Sequence, residues 1–141
     1  MRRAVLFFLA ILGGIMPAQG SSVCVREACV HVELARTLEE LQRGLQGKEG
    51  LAENEGMLFI FDSDDFQRFW MKDMKFSIDM IWLDNQKHIV TMAPSRLACV
   101  QEPCTIYSPS EKARYVLEVP AGFALKHQLK QGDVFEFKGI H

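Results

Sequence analysis

The sequence predicts a mainly β protein, a single compact antiparallel β-sandwich or barrel with two short helices. Three observations support this fold class. Short apolar or alternating stretches recur along the chain, as expected for roughly seven or eight strands. Turn-forming residues separate these stretches. The strands follow one another without alternating with helices, which disfavours a parallel β-α-β architecture.

The first predicted elements are a β-hairpin and a helix. Residues 30–34 alternate apolar and polar side chains, which indicates a strand with one wet face, and residues 23–26 are its hairpin partner. Thr37 begins the helix in a capping box with Glu40, and Gly47 ends it.

The remaining elements are mostly strands. A continuous apolar run predicts a strand at residues 57–61 that is buried on both sides, followed by a polar turn at residues 62–65. Further strands are predicted at residues 66–71, 78–83, 89–92, 114–119 and 134–137. A turn at residues 84–86, a long connection at 93–110 and a helix at 123–129 join them.

Residues 1–20 have the pattern of a cleaved secretory signal peptide. Arg2 and Arg3 precede an apolar run at residues 4–16, and small residues follow at 18–20. An uncleaved anchor is the alternative, but this run is shorter than the ~20 residues that span a bilayer. We therefore expect residues 21–141 to form a single periplasmic or extracellular domain without stable membrane insertion.

The four cysteines form two equally spaced pairs. Cys24 and Cys29 make the first pair, and Cys99 and Cys104 make the second. An even number in an exported protein predicts disulfides, and loop closure favours the two local pairings. A four-thiolate zinc site is the alternative, which an oxidising compartment disfavours.

Composition narrows the classes of partner and cofactor. The net charge is −2 and the basic residues are scattered, so we expect no nucleic-acid binding. The four histidines show no paired ligand spacing, and the methionines are typical core residues, so we predict no metal and no cofactor. The oligomeric state does not follow from the sequence.

Trp70 and Lys72 are the first candidate binding residues. On a strand they share one face, while Phe69 and Met71 share the other. An aromatic ring beside a cation can stack on a ligand and hold an anionic group. The commoner arrangement, which the sequence alone favours, buries Trp70 in the core and lets Lys72 reach water.

Asp79 and Glu118 are carboxylates inside apolar strands. Burial would force each to find a cation or several N–H donors. One hypothesis pairs them with Arg43, Lys72 or Arg114 in a structural network. The other makes Asp79 and Glu118 an acid and base pair of the kind that glycosidases use.

Five sequence blocks resemble the family catalogued as domain of unknown function 192. The blocks are RGL at 43–45, GMLFIF at 56–61, FWMK at 69–72, IDM at 78–80 and YVLEVPAG at 115–122. The resemblance extends from about residue 30 to residue 137 and implies a compact, mainly β fold, often exported, without an established activity. Asp73 and Met74 replace the usual Asn-Thr pair, and Ser77 replaces a usual proline.

The candidate site residues fall on matching positions of that family. They are Arg43, Trp70, Lys72, Asp79 and Glu118. The leading hypothesis is an exported protein that binds a small molecule, a glycan or a partner there. In it, Arg43 and Lys72 hold the ligand, Trp70 stacks and Asp79 orients the cations. The alternatives are an envelope carbohydrate hydrolase using Asp79 and Glu118, and a purely structural envelope protein; the sequence assigns no catalytic residue.

Overall fold

One curled sheet is the main element of the described chain. The computed structural model describes residues 20–141, so the predicted signal peptide lies outside the described residues except for Gly20. Within that range there are seven strands: β1 Ser22–Val25, β2 Ala28–Ala35, β3 Glu55–Asp65, β4 Ile78–Leu83, β5 Ile89–Arg96, β6 Ala113–Pro120 and β7 Glu136–Lys138. Two short helices are α1 Leu38–Arg43 and α2 Phe123–Lys126.

The strand order is β5-β4-β6-β3-β2-β1-β7, and the predicted mainly β fold with two short helices is confirmed. The sheet is a half-barrel and not a closed sandwich. Every neighbouring pair is antiparallel except β2 and β3, which are parallel. This exception arises because the chain passes through α1 and a loop before β3 returns alongside β2.

The last strand and the segment before it connect the two ends of the sheet. β7 pairs with β1 at one edge. Immediately before β7, Val134 bridges His88, and the Phe135 N–H donates to the Lys87 carbonyl at 3.0 Å, beside the opposite edge strand. The Phe135 side chain is buried, so this crossing also fills the interior of the half-barrel.

Each face of the sheet carries its own apolar core. The inner core contains Ile81, Leu117 and Phe135, and the outer core contains Met80 and Trp82 on the opposite face. Successive side chains of a strand alternate between the faces, so β4 contributes to both cores and is buried along its whole length.

Several local predictions are wrong. β5 continues through residues 93–96 of the predicted connection, and α2 ends at Lys126, three residues before the predicted end. Residues 62–65 are not a turn, because β3 continues to Asp65 and pairs again with β6 after a register shift. Residues 66–71 are not a strand and make only an isolated bridge, from Phe69 to Tyr107. Helix α1 ends at Arg43 with Gly44 as its C-cap, and not at the predicted Gly47, since Gly44 has a φ of 49° that an α-helix does not continue through.

The two local disulfides are present as predicted. Cys24 bonds Cys29 across the β1–β2 hairpin, and Cys99 bonds Cys104 in the long connection before β6. Neither α1 nor α2, the helices of residues 20–141, is long and apolar enough to cross a membrane.

Candidate functional site

A groove of about 630 Å³ opens on the outer face of the sheet. Helix α1 and the residues that follow it form one wall. The opposite wall is residues 66–76, which we call the cover segment. Apolar side chains dominate the lining, with Leu41, Leu45, Phe59, Phe61, Phe69 and Met74 among them. The volume lies within the range of small-molecule sites.

Local sequence positions the first wall. The Thr37 hydroxyl accepts from the Glu40 N–H at 3.2 Å and the Glu40 carboxylate accepts from the Thr37 N–H at 3.0 Å, which confirms the predicted capping box. Gly44 then turns the chain so closely over Phe59 that an added Cβ would lie 3.0 Å from that ring. Arg43, the last residue of the helix, lines the groove and lies 3.7 Å from Glu39.

An aromatic cluster positions the cover segment. The Phe69 ring meets Phe59 edge to face at a centroid distance of 4.9 Å and Trp82 at 6.2 Å. The Trp82 indole N–H also donates to the Gln67 carbonyl at 2.8 Å. The side chains of Phe69 and the buried Met71 point toward the sheet. Those of Trp70 and Lys72 point away from it and line the groove.

Trp70 and Lys72 therefore share a face as predicted, although the segment is not a strand. The Lys72 ammonium lies 5.1 Å from the centroid of the Trp70 ring, within cation–π range. The expectation that Trp70 belongs to the core is wrong, because 44% of Trp70 is exposed. Its neighbours Phe69 and Met71 occupy the core positions instead.

The Lys72 ammonium already has an anionic partner. It lies 2.9 Å from the Glu102 carboxylate, which projects from the disulfide-bonded loop. This hydrogen bond and the negative charge of Glu102 raise the pKa of Lys72. Lys72 is thus held charged at the rim, next to the exposed ring of Trp70.

Glu118 lies on the floor of the groove. It is 4% exposed, and its direct neighbours across the sheet are Met57 on β3 and Met80 on β4. Desolvation by burial raises the pKa of Glu118 to about 8, so it is a neutral acid at neutral pH. Gly56 is required beside it, since an added Cβ there would lie 2.6 Å from the Glu118 carbonyl oxygen.

Asp79 is buried as predicted but lies on the opposite face of the sheet from Glu118. β4 pairs with β6 so that Asp79 faces Val119 and Met80 faces Glu118. One Asp79 oxygen accepts from the Ser95 N–H at 2.7 Å and the Gly122 N–H at 3.2 Å. The other accepts from the Ala124 N–H at 2.8 Å.

These contacts correct two hypotheses about Asp79. It does not orient the cations, because its oxygens are used by backbone N–H groups. Arg43, Lys72 and Arg114 approach other carboxylates, those of Glu39, Glu102 and Asp64. Nor does it form an acid and base pair with Glu118, since the sheet separates the two side chains.

The structure thus brings together four of the five predicted site residues and adds one. Arg43, Trp70, Lys72 and Glu118 all line the groove, together with the exposed Arg68. Arg68 was missed, although its spacing from Trp70 and Lys72 places it on their side of an extended segment. Within residues 20–141, no cluster of three or more His, Cys, Asp or Glu side chains is arranged to hold a metal ion.

Comparison of the sequence with protein families gives one match over most of the chain. The model of DUF192, described as an uncharacterized ACR, matches residues 22–137. This range contains all of the groove residues named above.

Two curated relatives are archaeal. A UPF0127 protein of Thermococcus gammatolerans is 31% identical over 112 residues, which cover 76% of this chain and 66% of the relative. UPF0127 protein TK1120 of Thermococcus kodakarensis is 25% identical over 111 residues, covering 75% of this chain and 64% of the relative. The chain therefore spans slightly less than two thirds of the length of either relative.

Two solved structures have a similar fold. A protein of unknown function from Novosphingobium aromaticivorans has a TM-score of 0.74 and 26% identity, covering 82% of each chain. A Sinorhizobium meliloti protein, described as a candidate transcription regulator, has a TM-score of 0.76 and 27% identity. The latter match covers 85% of this chain and 93% of that one.

Proposed function

Since the chain belongs to the DUF192 family, which carries the description uncharacterized, we propose a function from the groove itself: the protein binds a small amphipathic anion there. We also propose that it does so outside the cytoplasm, after cleavage of residues 1–20. Its two disulfides support this second proposal, because such bonds persist in oxidising compartments.

The observation that carries the proposal is a cationic rim above an apolar groove. Arg43, Arg68 and Lys72 line the groove from both of its walls. Between these cations lie aromatic and aliphatic side chains, including Phe59 and Phe69. Such a surface favours a ligand with an apolar or planar body and one anionic group.

Trp70 adds a stacking surface to this rim. Its ring is exposed beside Lys72, so a planar ligand group can lie against the ring while its anionic group approaches the ammonium. A glycan fits the same surface best through an acidic sugar, because hydrogen bonds from the cations to a carboxylate are stronger than those to neutral hydroxyl groups.

The regulator description of the Sinorhizobium protein is not transferred to this chain. Direct nucleic-acid binding needs a basic face, whereas this protein has a net charge of −2. Several of its basic side chains, such as Lys48 and Lys126, also pair with carboxylates.

A thermal-shift and calorimetric screen of residues 21–141 tests the proposal. The probes are aromatic and alicyclic carboxylates, sulfonates and phosphates, uronic acids, and their neutral amides or alcohols. We expect anionic probes to raise the melting temperature and neutral analogues to have no effect, because a ligand that binds only the native state stabilises it.

Charge-neutralising variants locate the binding. Arg43→Gln and Lys72→Gln should together weaken anion binding by about tenfold, as expected for two partly exposed charge contacts. Lys112→Gln is the control, since Lys112 is exposed and is not a groove residue. If no anion binds, or if the double variant and the control bind equally well, the proposed function is wrong.

A further inference from the structure

We propose that Glu118 determines the specificity of the groove by hydrogen bonding to a hydroxyl or carbonyl group at the end of the ligand opposite its anionic group. This inference rests on the proposed function and names a narrower ligand class. The class is small apolar or planar anions that carry such a distal polar group.

The first argument is the position of Glu118. It lies on β6, an interior strand of the sheet, beneath the groove, with thioether side chains of Met57 and Met80 as its direct neighbours across the sheet. Burial is the one cause that shifts its pKa, with no contribution from a hydrogen bond within residues 20–141, and its oxygens are not among the side-chain atoms that are sealed off without a partner. A groove ligand that hydrogen bonds to this desolvated carboxyl group therefore gains affinity.

The second argument contrasts Glu118 with Asp79. The Asp79 carboxylate has three backbone N–H partners and so has no need of a ligand. Glu118 is buried to a similar extent without such partners, and it lines the groove. A methionine, like the residues on either side, would fill this position without the desolvation cost of a buried carboxyl group.

The third argument is the charge state. The charged groups that line the groove are Arg43 from α1 and Arg68 and Lys72 from the cover segment, with Glu102 paired to Lys72. Burial raises the pKa of Glu118 to about 8, so at neutral pH its carboxyl group is uncharged. It therefore does not repel an anion, and it can both donate and accept a hydrogen bond.

These positions define one orientation for the ligand. The anionic group lies at the rim with the cations, and the apolar body lies between the walls near Phe59 and Phe69. The distal polar group then reaches Glu118 at the floor. A ligand with an apolar distal end would leave the buried carboxyl group without a partner, which is the basis of discrimination.

Matched probes test this orientation. Isothermal titration calorimetry would compare cyclohexanecarboxylate with trans-4-hydroxycyclohexanecarboxylate, and benzoate with 4-hydroxybenzoate, at neutral pH. Each pair differs only by a distal hydroxyl group. We expect the hydroxylated member of at least one pair to bind the wild-type protein about tenfold more tightly, the effect of one buried hydrogen bond.

Two variants assign this preference to Glu118. Glu118→Gln keeps a donor and an acceptor and should keep most of the preference. Glu118→Met matches the neighbouring thioethers and should abolish the preference, because the hydroxylated and the unhydroxylated acid then meet the same apolar floor. If Glu118→Met does not fold, the wild-type comparison and Glu118→Gln decide the question.

The outcomes separate this inference from the proposed function. If anions bind but the hydroxyl group changes affinity by less than about twofold in the wild-type protein, the role of Glu118 is wrong and the proposed function stands. A preference that persists in Glu118→Met also overturns that role. If none of the anions binds, both proposals are overturned.

Discussion

At the residue scale, the two buried carboxyl groups are stabilised in opposite ways. Asp79 accepts hydrogen bonds from the N–H groups of Ser95, Gly122 and Ala124, which is one of the two arrangements that the sequence allowed, and not from a cation. Glu118 has methionine neighbours instead, and burial raises its pKa. Asp79 therefore links β4 to the backbone at Ser95 and at the start of α2. Glu118 remains a protonated acid beneath the groove.

The raised pKa of Glu118 predicts a pH-dependent stability. Below about pH 4.5 the carboxyl group is protonated in both the folded and the unfolded chain. Between there and about pH 8 the folded chain keeps the proton while the unfolded chain loses it. The free energy of unfolding should therefore fall as pH rises, by at most about 1.4 kcal/mol per pH unit from this residue.

Glu118→Gln is the matched control for this effect, because an amide does not titrate. Urea denaturation at a series of pH values across that window measures the difference between the two proteins. The wild-type protein should lose stability relative to the variant as pH rises. Stability curves that stay parallel across the window would contradict a raised pKa of Glu118.

At the element scale, the disulfide-bonded loop and the cover segment support each other. The Cys99 N–H donates to the Met71 carbonyl at 3.0 Å, and the backbones of Phe69 and Tyr107 exchange two hydrogen bonds. These contacts bring the Glu102 carboxylate against Lys72 at the rim of the groove. Backbone hydrogen bonds therefore hold the long connection in place, and it also places the Glu102 carboxylate beside Lys72, to which we assign ligand binding.

Glu102 should therefore compete with an anionic ligand for Lys72. Glu102→Gln is expected to increase anion affinity by about two- to fivefold, a modest gain because both side chains are partly exposed and screened by solvent. Glu111→Gln is the control, since Glu111 is exposed and forms no ion pair within the described residues. Calorimetry at low and high salt measures the effect, and unchanged affinity at low salt would show that Glu102 does not compete.

At the scale of the whole molecule, the first and last described segments meet in the sheet. The Ser21 carbonyl accepts from the Val32 N–H at 3.0 Å, and the Ser21 hydroxyl donates to the Gly139 carbonyl at 3.2 Å. β1 begins at the next residue and receives β7 as its edge partner. Among the described residues, Ser21, which follows the predicted cleavage position, is thus already hydrogen bonded to the sheet and to the C-terminal segment.

Cleavage after Gly20 should therefore leave the fold intact. We expect the exported protein to begin at Ser21. Residues 21–141 expressed alone should have the same melting temperature as that exported protein. N-terminal sequencing of protein recovered outside the cytoplasm measures the first expectation. An intact Met1 on that protein would contradict cleavage. A variant that begins at Ser22 is the comparison, because it lacks both hydrogen bonds of Ser21.

Much of the fold could be predicted from local sequence. The capping box of Thr37 and Glu40, the strand containing Asp79 and the two local disulfides depend on residues that are close in the chain. It was also predictable that Trp70 and Lys72 share one face, because successive side chains of an extended backbone alternate between two sides even where no strand forms. The end of β3 could not be predicted, because it depends on the register of its pairing with β6. The end of α1 could not be predicted either, because it depends on the positive φ of Gly44.

The sequence by itself thus determined the fold class, the local disulfides and a set of residues with binding chemistry. Only the tertiary structure decided which of those residues meet. Pairing of β6 between β3 and β4 places Glu118 on the face opposite Asp79, and Arg43 and Lys72 approach this face from separate segments. The physical reason is that side-chain alternation is a local property, whereas strand order and register depend on contacts between distant parts of the chain.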